Sequence, residues 1–294
     1  VEARCAIREK EKYLRRDGRK MIRNVVGMFF SPSGETAKIT RKITTELSER
    51  LDELCIDPIG RSFVDLLKDP IKEDRTLDSE TIVVMGMPVL SGRIPEVCTE
   101  MLKKLHGNDT LAIVLVSYGN NTYGDALKEL YCTVCDQNFG VVSAGAFIAR
   151  NPMFGTIAED RPDAYDLQQI IEFSRVSANK IRRFCGTEIQ GMKARLAPLN
   201  VKGDLPSRKP SRFPIHPVAG SACTNCGRCR DICPVGAINM DDPRKVDGKK
   251  CISCSACIAA CPEGAMSYAG PLYAASRVAL ERLYNKRQDP EWFI

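Results

Sequence analysis

Cys223-Thr-Asn-Cys226-Gly-Arg-Cys229-Arg-Asp-Ile-Cys233-Pro234 and Cys251-Ile-Ser-Cys254-Ser-Ala-Cys257-Ile-Ala-Ala-Cys261-Pro262 are two copies of one pattern. Each reads C-x2-C-x2-C-x3-C-P, the spacing at which cysteine thiolates hold 4Fe–4S clusters, three from one copy and the fourth from the other. Cys223, Cys226 and Cys229 are therefore expected to hold one cluster with Cys261, and Cys251, Cys254 and Cys257 the second with Cys233. Structural zinc favours four thiolates in separated pairs. A disulfide framework suits small secreted domains, whereas this chain has 294 residues and no secretory apolar segment. Pro234 and Pro262 are expected to end a short helix carrying each fourth ligand, because proline has no N–H to continue it. Gly227 and Ala256 are expected inside the tight ligand loops.

Length suggests two domains, and 44% apolar content fits a globular protein. No apolar run reaches the roughly 20 residues of a membrane span, so no membrane insertion is expected. Fourteen cysteines without a sorting signal point to a reducing, cytoplasmic setting. Six of them (Cys5, Cys55, Cys98, Cys132, Cys135 and Cys185) lie outside the paired runs and read as small buried apolar residues. Cys132-Thr-Val-Cys135 sits inside an expected helix, where no helix dipole would activate a thiol. Of the net charge of +6, residues 1–20 carry +4, leaving no basic stripe for nucleic acid.

Upstream, strands and helices alternate. Strands are expected at 22–30, 53–57 (weak), 81–87, 111–117 and 140–149. Helices are expected at 35–50, around 63–67, at 94–105, 124–138 and 165–184, with His106 capping the third. Such alternation implies an α/β doubly wound, five-stranded parallel sheet covered on both faces. Five prolines between 198 and 217 read as a stiff, extended connection. The divisions are a basic extension at 1–20, an α/β domain at 21–185, a Pro-rich linker at 186–218, a small α+β two-cluster domain at 219–270, and a helix with a tail at 271–294. That tail holds the single tryptophan, Trp292, and is expected to dock.

Ser31, Ser33, Gly34, Glu35 and Thr36 follow the first strand and open a helix. Their hydroxyls and amides could surround a phosphate at the positive end of the helix dipole, or could equally form a simple turn and cap. In the flavodoxin-like strand order 2-1-3-4-5, ligands bind at the carboxyl ends of the strands. Pro88, Val89, Leu90, Ser91 and Gly92 leave the third strand at that edge. Tyr118, Gly119, Asn120 and Tyr123 leave the fourth. Together the three loops point to FMN. No Gly-x-Gly-x-x-Gly follows the first strand, so no separate NAD(P) site is expected.

With these residues in view, the chain resembles fusions of an N-terminal flavodoxin-type FMN domain with a C-terminal bacterial two-cluster ferredoxin, found mostly in anaerobes. The resemblance rests on Phe29-Phe-Ser-Pro-Ser-Gly-Glu-Thr36, Met87-Pro-Val-Leu-Ser-Gly-Arg-Ile-Pro95, Tyr118-Gly-Asn-Asn-Thr-Tyr-Gly-Asp-Ala-Leu127 and both cysteine runs. It implies FMN phosphate on residues 31–36 and the flavin ring between the two later loops. Leu90 stands where the family often has an aromatic residue. Ala149-Arg-Asn-Pro152 stands where it commonly has Glu-His-Ser. The function implied is electron transfer between FMN, two 4Fe–4S clusters and a redox partner protein. The alternative is a ferredoxin-linked flavin reductase of a small organic substrate.

Overall fold

The computed structural model describes residues 22–53, 58–182, 196–205 and 213–294. The extension at 1–20, most of the weak strand expected at 53–57, and Cys5, Cys55 and Cys185 lie outside them. Along the chain run β1 (Asn24–Phe29), α1 (Glu35–Asp52), β2 (Gly60–Asp65), β3 (Arg75–Leu77), β4 (Thr81–Pro88), α2 (Glu96–Leu102), β5 (Leu105–Gly107), β6 (Leu111–Tyr118), α3 (Ala126–Asp136), β7 (Gly140–Ile148) and α4 (Ala164–Arg182). The C-terminal part adds β8 (Val218–Ala219), α5 (Arg228–Asp231), α6 (Ala256–Ala259), β9 (Met266–Ser267), α7 (Pro271–Leu283) and β10 (Glu291–Phe293).

The main sheet has the order β10-β7-β6-β4-β1-β2. Its five parallel strands, taken in chain order, run 2-1-3-4-5, the doubly wound arrangement expected. β4, β6 and β7 are buried along nearly their whole length because helices cover both faces. Ile39, Ile43 and Leu47 of α1 join Ile170 and Phe173 of α4 on one face. Cys98 and Leu102 of α2 join Leu127, Leu130 and Val134 of α3 on the other. Helix α1 also buries Thr36, Thr40 and Thr44, four residues apart. The last two bond back into the helix, Thr40 to the Thr36 carbonyl at 2.8 Å and Thr44 to that of Thr40 at 2.7 Å. Glycine in the facing strands admits them: a Cβ on Gly86 would stand 1.9 Å from Thr40 Oγ1, and one on Gly27 would stand 2.6 Å from Thr44 Oγ1.

Three expectations are corrected. The helix around 63–67 is absent: Gly60–Asp65 is the parallel edge strand β2, in register with β1 from Asn24↔Gly60 to Phe29↔Asp65. Its exposed polar start hides the strand pattern, and Phe63 lies under the Arg41 guanidinium instead of in the core. His106 does not cap a helix. It sits in β5, paired with β3, with Nε2 3.3 Å from Asp74. The connection is extended at 196–205 but packed: Leu199 and Val201 are buried, and the Leu199 amide donates to the Tyr131 hydroxyl at 3.1 Å.

The tail docks as a sixth strand. β10 pairs antiparallel with β7, Trp292 opposite Gly145, and the indole lies 6.2 Å from the Phe173 ring. Among the described residues, no helix is long and apolar enough to cross a membrane.

Candidate functional site

The two cysteine runs fold as near copies. Asn225 and Ser253, Gly227 and Ser255, and Gly236 and Gly264 are matched positions, with φ values of 61° and 54°, 79° and 70°, and 58° and 58°. Positive φ turns the backbone around each thiol group. The counterpart of Gly227 is thus Ser255, not Ala256. α5 and α6 each carry the third cysteine of their run, Cys229 or Cys257, and both end before the fourth. The fourth cysteine therefore lies just past its helix, not on it. At both fourth cysteines an amide four residues on donates to sulfur: Ala237 to Cys233 at 3.3 Å and Ala265 to Cys261 at 3.2 Å.

The thiols surround two voids. Cys223, Cys226, Cys229 and Cys261 line one. Cys233, Cys251, Cys254 and Cys257 line the other. Each void draws three thiols from one run and one from the other. Among the described residues, no three His, Cys, Asp or Glu side chains gather closely enough for a single metal ion. Four thiols around each void, three at C-x2-C-x2-C spacing and one from the other run, suit a 4Fe–4S cluster better than the separated pairs of structural zinc. Burial pushes the Cys254 and Cys257 thiols up to about 12. Cys261 goes the other way: burial would raise it, but amide hydrogen bonds hold it below its ordinary value.

The second void faces the α/β unit. Ser255 Oγ lies 3.4 Å from the Pro152 carbonyl oxygen, in the loop leaving β7. In that loop Asn151 packs on Gly119, where a Cβ would meet its amide nitrogen at 2.7 Å.

At the carboxyl edge of the sheet the three expected loops meet. Ser31 Oγ accepts the Ala37 amide at 2.9 Å, capping α1. Thr36 Oγ1 pairs with Ser117 Oγ at 2.7 Å, tying the first loop to the end of β6. Gly34 has φ 88°, and nothing lies within 4 Å of where its Cβ would be, so the loop stays open above it. Glu35 turns one carboxylate oxygen to Lys38 at 2.8 Å, and its other oxygen is buried without a hydrogen-bond partner. Pro88 and Val89 lead into a tight turn, Leu90 to Arg93, with Ser91 and Gly92 at positive φ. The Gly92 carbonyl accepts the Asp125 amide at 2.9 Å, which pins this turn to the next loop. Arg93 forks onto Glu129 of α3, with Nε 2.7 Å from Oε2.

Two side chains expected at a flavin ring are committed elsewhere. Asn120 is buried and grips the tail: its Nδ2 donates to the carbonyls of Tyr284 at 2.8 Å and Lys286 at 3.0 Å, while Oδ1 accepts the Gln288 amide at 3.0 Å. Tyr123 donates to Glu291 and meets Tyr118 edge-on at 5.7 Å. Ser117, Asn151, Glu291 and Tyr268 also take part, through contacts that the sequence does not assign to them. Only Glu291, one residue before the lone tryptophan, lay in a segment expected to dock.

Residues 222–265 match the family model described as a 4Fe-4S dicluster domain. Two 4Fe–4S clusters are thus the metal groups this part of the chain is built for. No curated protein matches the chain. Among solved structures, the metal-soaked flavodiiron core of Flv1 from Synechocystis overlaps with a TM-score of 0.38 at 15% identity, over 62% of this chain and 41% of that one. This chain therefore spans about two fifths of that protein's length. A flavodoxin from the domain Archaea overlaps with a TM-score of 0.35 at 12% identity, over 54% of this chain and 99% of that one. A Streptococcus pneumoniae TIGR4 flavodoxin gives 0.35 at 15%, over 53% and 99%. The strand order of its own sheet makes the N-terminal part flavodoxin-like, and the chain joins that fold to a segment matching a dicluster domain.

Proposed function

We propose that the chain relays electrons between FMN in the α/β unit, at 21–185, and two 4Fe–4S clusters in the unit at 219–270, to or from a separate redox protein. One observation carries the reading: two crossed thiol rings, one packed through Ser255 and Pro152 on the loop leaving the carboxyl edge of a doubly wound sheet. When bound, FMN would supply two-electron capacity and each cluster one-electron exchange.

Cys223, Cys226, Cys229 and Cys261 would hold one cluster, and Cys251, Cys254, Cys257 and Cys233 the other. The residues at the sheet edge fit a phosphate-bearing flavin. The first-turn amides of Glu35 and Thr36 have no acceptor within the helix, that of Ala37 being taken by Ser31, and Gly34 keeps the approach open. Ser31, Ser33 and Thr36 supply hydroxyls. Glu35 would act through its amide, and its unpartnered oxygen would accept from a sugar-like hydroxyl. Residues 88–92, Tyr118 and the backbone of Gly119 would flank the ring. Asn120 and Tyr123 would position that loop through the tail.

Reduction of an organic substrate is less well supported, because it needs a proton donor near the ring. Burial pushes Tyr118 up to about 12 and, with the bond to Glu291, pushes Tyr123 well up too. The test is anaerobic reconstitution of the full chain followed by redox titration. Flavin and cluster signals that exchange electrons are expected. No bound flavin, or no exchange, overturns the reading.

A further inference from the structure

The two cysteine copies match in sequence but not in surroundings. Thr224, Asn225 and Cys226 are exposed, while their counterparts Ile252, Ser253 and Cys254 are buried or half-buried. Ser253 Oγ donates to the Ile215 carbonyl at 2.6 Å. Tyr268, itself buried, donates to the Ser253 carbonyl at 2.9 Å and shares a 3.0 Å hydrogen bond with Ser255. Its ring stacks on Tyr273 at 5.8 Å, and Tyr273 stacks on Phe154 at 5.5 Å, nearly parallel at 8°. Tyr273 also donates to the Met153 carbonyl at 2.9 Å. Phe154 and Met153 lie in the loop after β7, beside Asn151 and Gly119.

The cysteine unit is also held from both sides. Phe213, before it, meets Phe154 edge-on at 6.0 Å. After it, β10 is a strand of the main sheet. Turning the other copy inward would break the aromatic stack and both anchors together.

We propose that the halves have fixed and opposite roles. The ring of Cys233, Cys251, Cys254 and Cys257 is the inward port, next to the α/β unit. The ring of Cys223, Cys226, Cys229 and Cys261 is the outward port, where a one-electron iron–sulfur or flavin protein is oxidised as the chain is reduced, or the reverse, one electron per encounter. This rests on the relay reading and adds its direction in space.

The test uses the full chain, anaerobically reconstituted and reduced. Its EPR signals are assigned with Cys226→Ser and Cys254→Ser, and a soluble dysprosium chelate is added as a relaxation probe. The expected result is faster relaxation of the signal lost in Cys226→Ser than of the one lost in Cys254→Ser. Equal relaxation, or the reverse order, overturns the proposal. Iron release from the unsubstituted protein to a hydrophilic chelator needs no variant: half of the iron should leave in a distinct fast phase, and a single phase counts against the proposal. Neither readout involves flavin. A chain without FMN could still show the asymmetry, and a competent relay could lack it, so the two failures are distinguishable.

Discussion

Asn120→Ala removes the three hydrogen bonds by which one buried side chain holds the backbone of Tyr284, Lys286 and Gln288. Each is worth about 1 kcal/mol net, so the bonds together contribute about 3 kcal/mol. Asn120 also sits at φ 60°. Asparagine tolerates that region and alanine less so, which adds up to about 1 kcal/mol. The tail should therefore open on its own about 100-fold more often or beyond, since about 1.4 kcal/mol is a factor of ten. Two observables report it. Trp292 is the only tryptophan, so its emission reads the docking of β10 directly. Amide exchange of the β10 residues 291–293 should speed up by a similar factor while β4 and β6 stay protected. Asn120→Gly removes the same bonds without the backbone cost and should fall slightly short of alanine. Exchange in β10 indistinguishable from the parent would refute the account. Loss of flavin with the tail still docked would return Asn120 to the ring.

Cys233→Ser should abolish the EPR signal also lost in Cys254→Ser, and Cys261→Ser the one lost in Cys226→Ser; the opposite pairing would refute the crossed rings. Each should keep half of the iron and the circular dichroism of the α/β unit. In acid the tail should loosen. Burial works against ionisation of Glu291, but its bonds to Lys202 and Tyr123 hold it below its ordinary value; Asp163 is held lower by Arg287. A depressed folded-state value stabilises above the usual carboxylate range and is lost as pH falls through it. Trp292 emission should thus stay flat near neutrality and change only below roughly pH 4. Gly86→Ala should lower the melting temperature through about 1–3 kcal/mol of overpacking against Thr40. Gly34→Ala, with open space above it, should cost only about 1 kcal/mol of backbone strain.

What could be read from the chain alone divides along physical lines. The thiol ligands were legible because cluster geometry dictates local spacing, and the doubly wound order was legible because β4, β6 and β7 are buried on both faces and read as apolar runs. β2 was not, because an edge strand that starts with exposed Arg61 and Ser62 carries no period-two signal. Ser255 was missed because a serine at positive φ looks like any serine until the fold pairs it with Gly227. Asn120 and Tyr123 were legible as loop residues that matter, but not by role. Their partners lie more than 160 positions away, in a tail whose path no local pattern encodes.

The pairing of β10 with β7 also has a consequence for the order in which the chain folds. The α/β sheet acquires its last strand only after the whole cysteine unit has been synthesised, because Glu291 pairs with Ala146 across everything between them. Contacts that distant in sequence form slowly. Until they do, β7 is a bare edge that another strand could claim. A chain in which the cysteine unit is slow to fold should therefore leave its sheet unfinished, so that the completeness of one unit reports on the other.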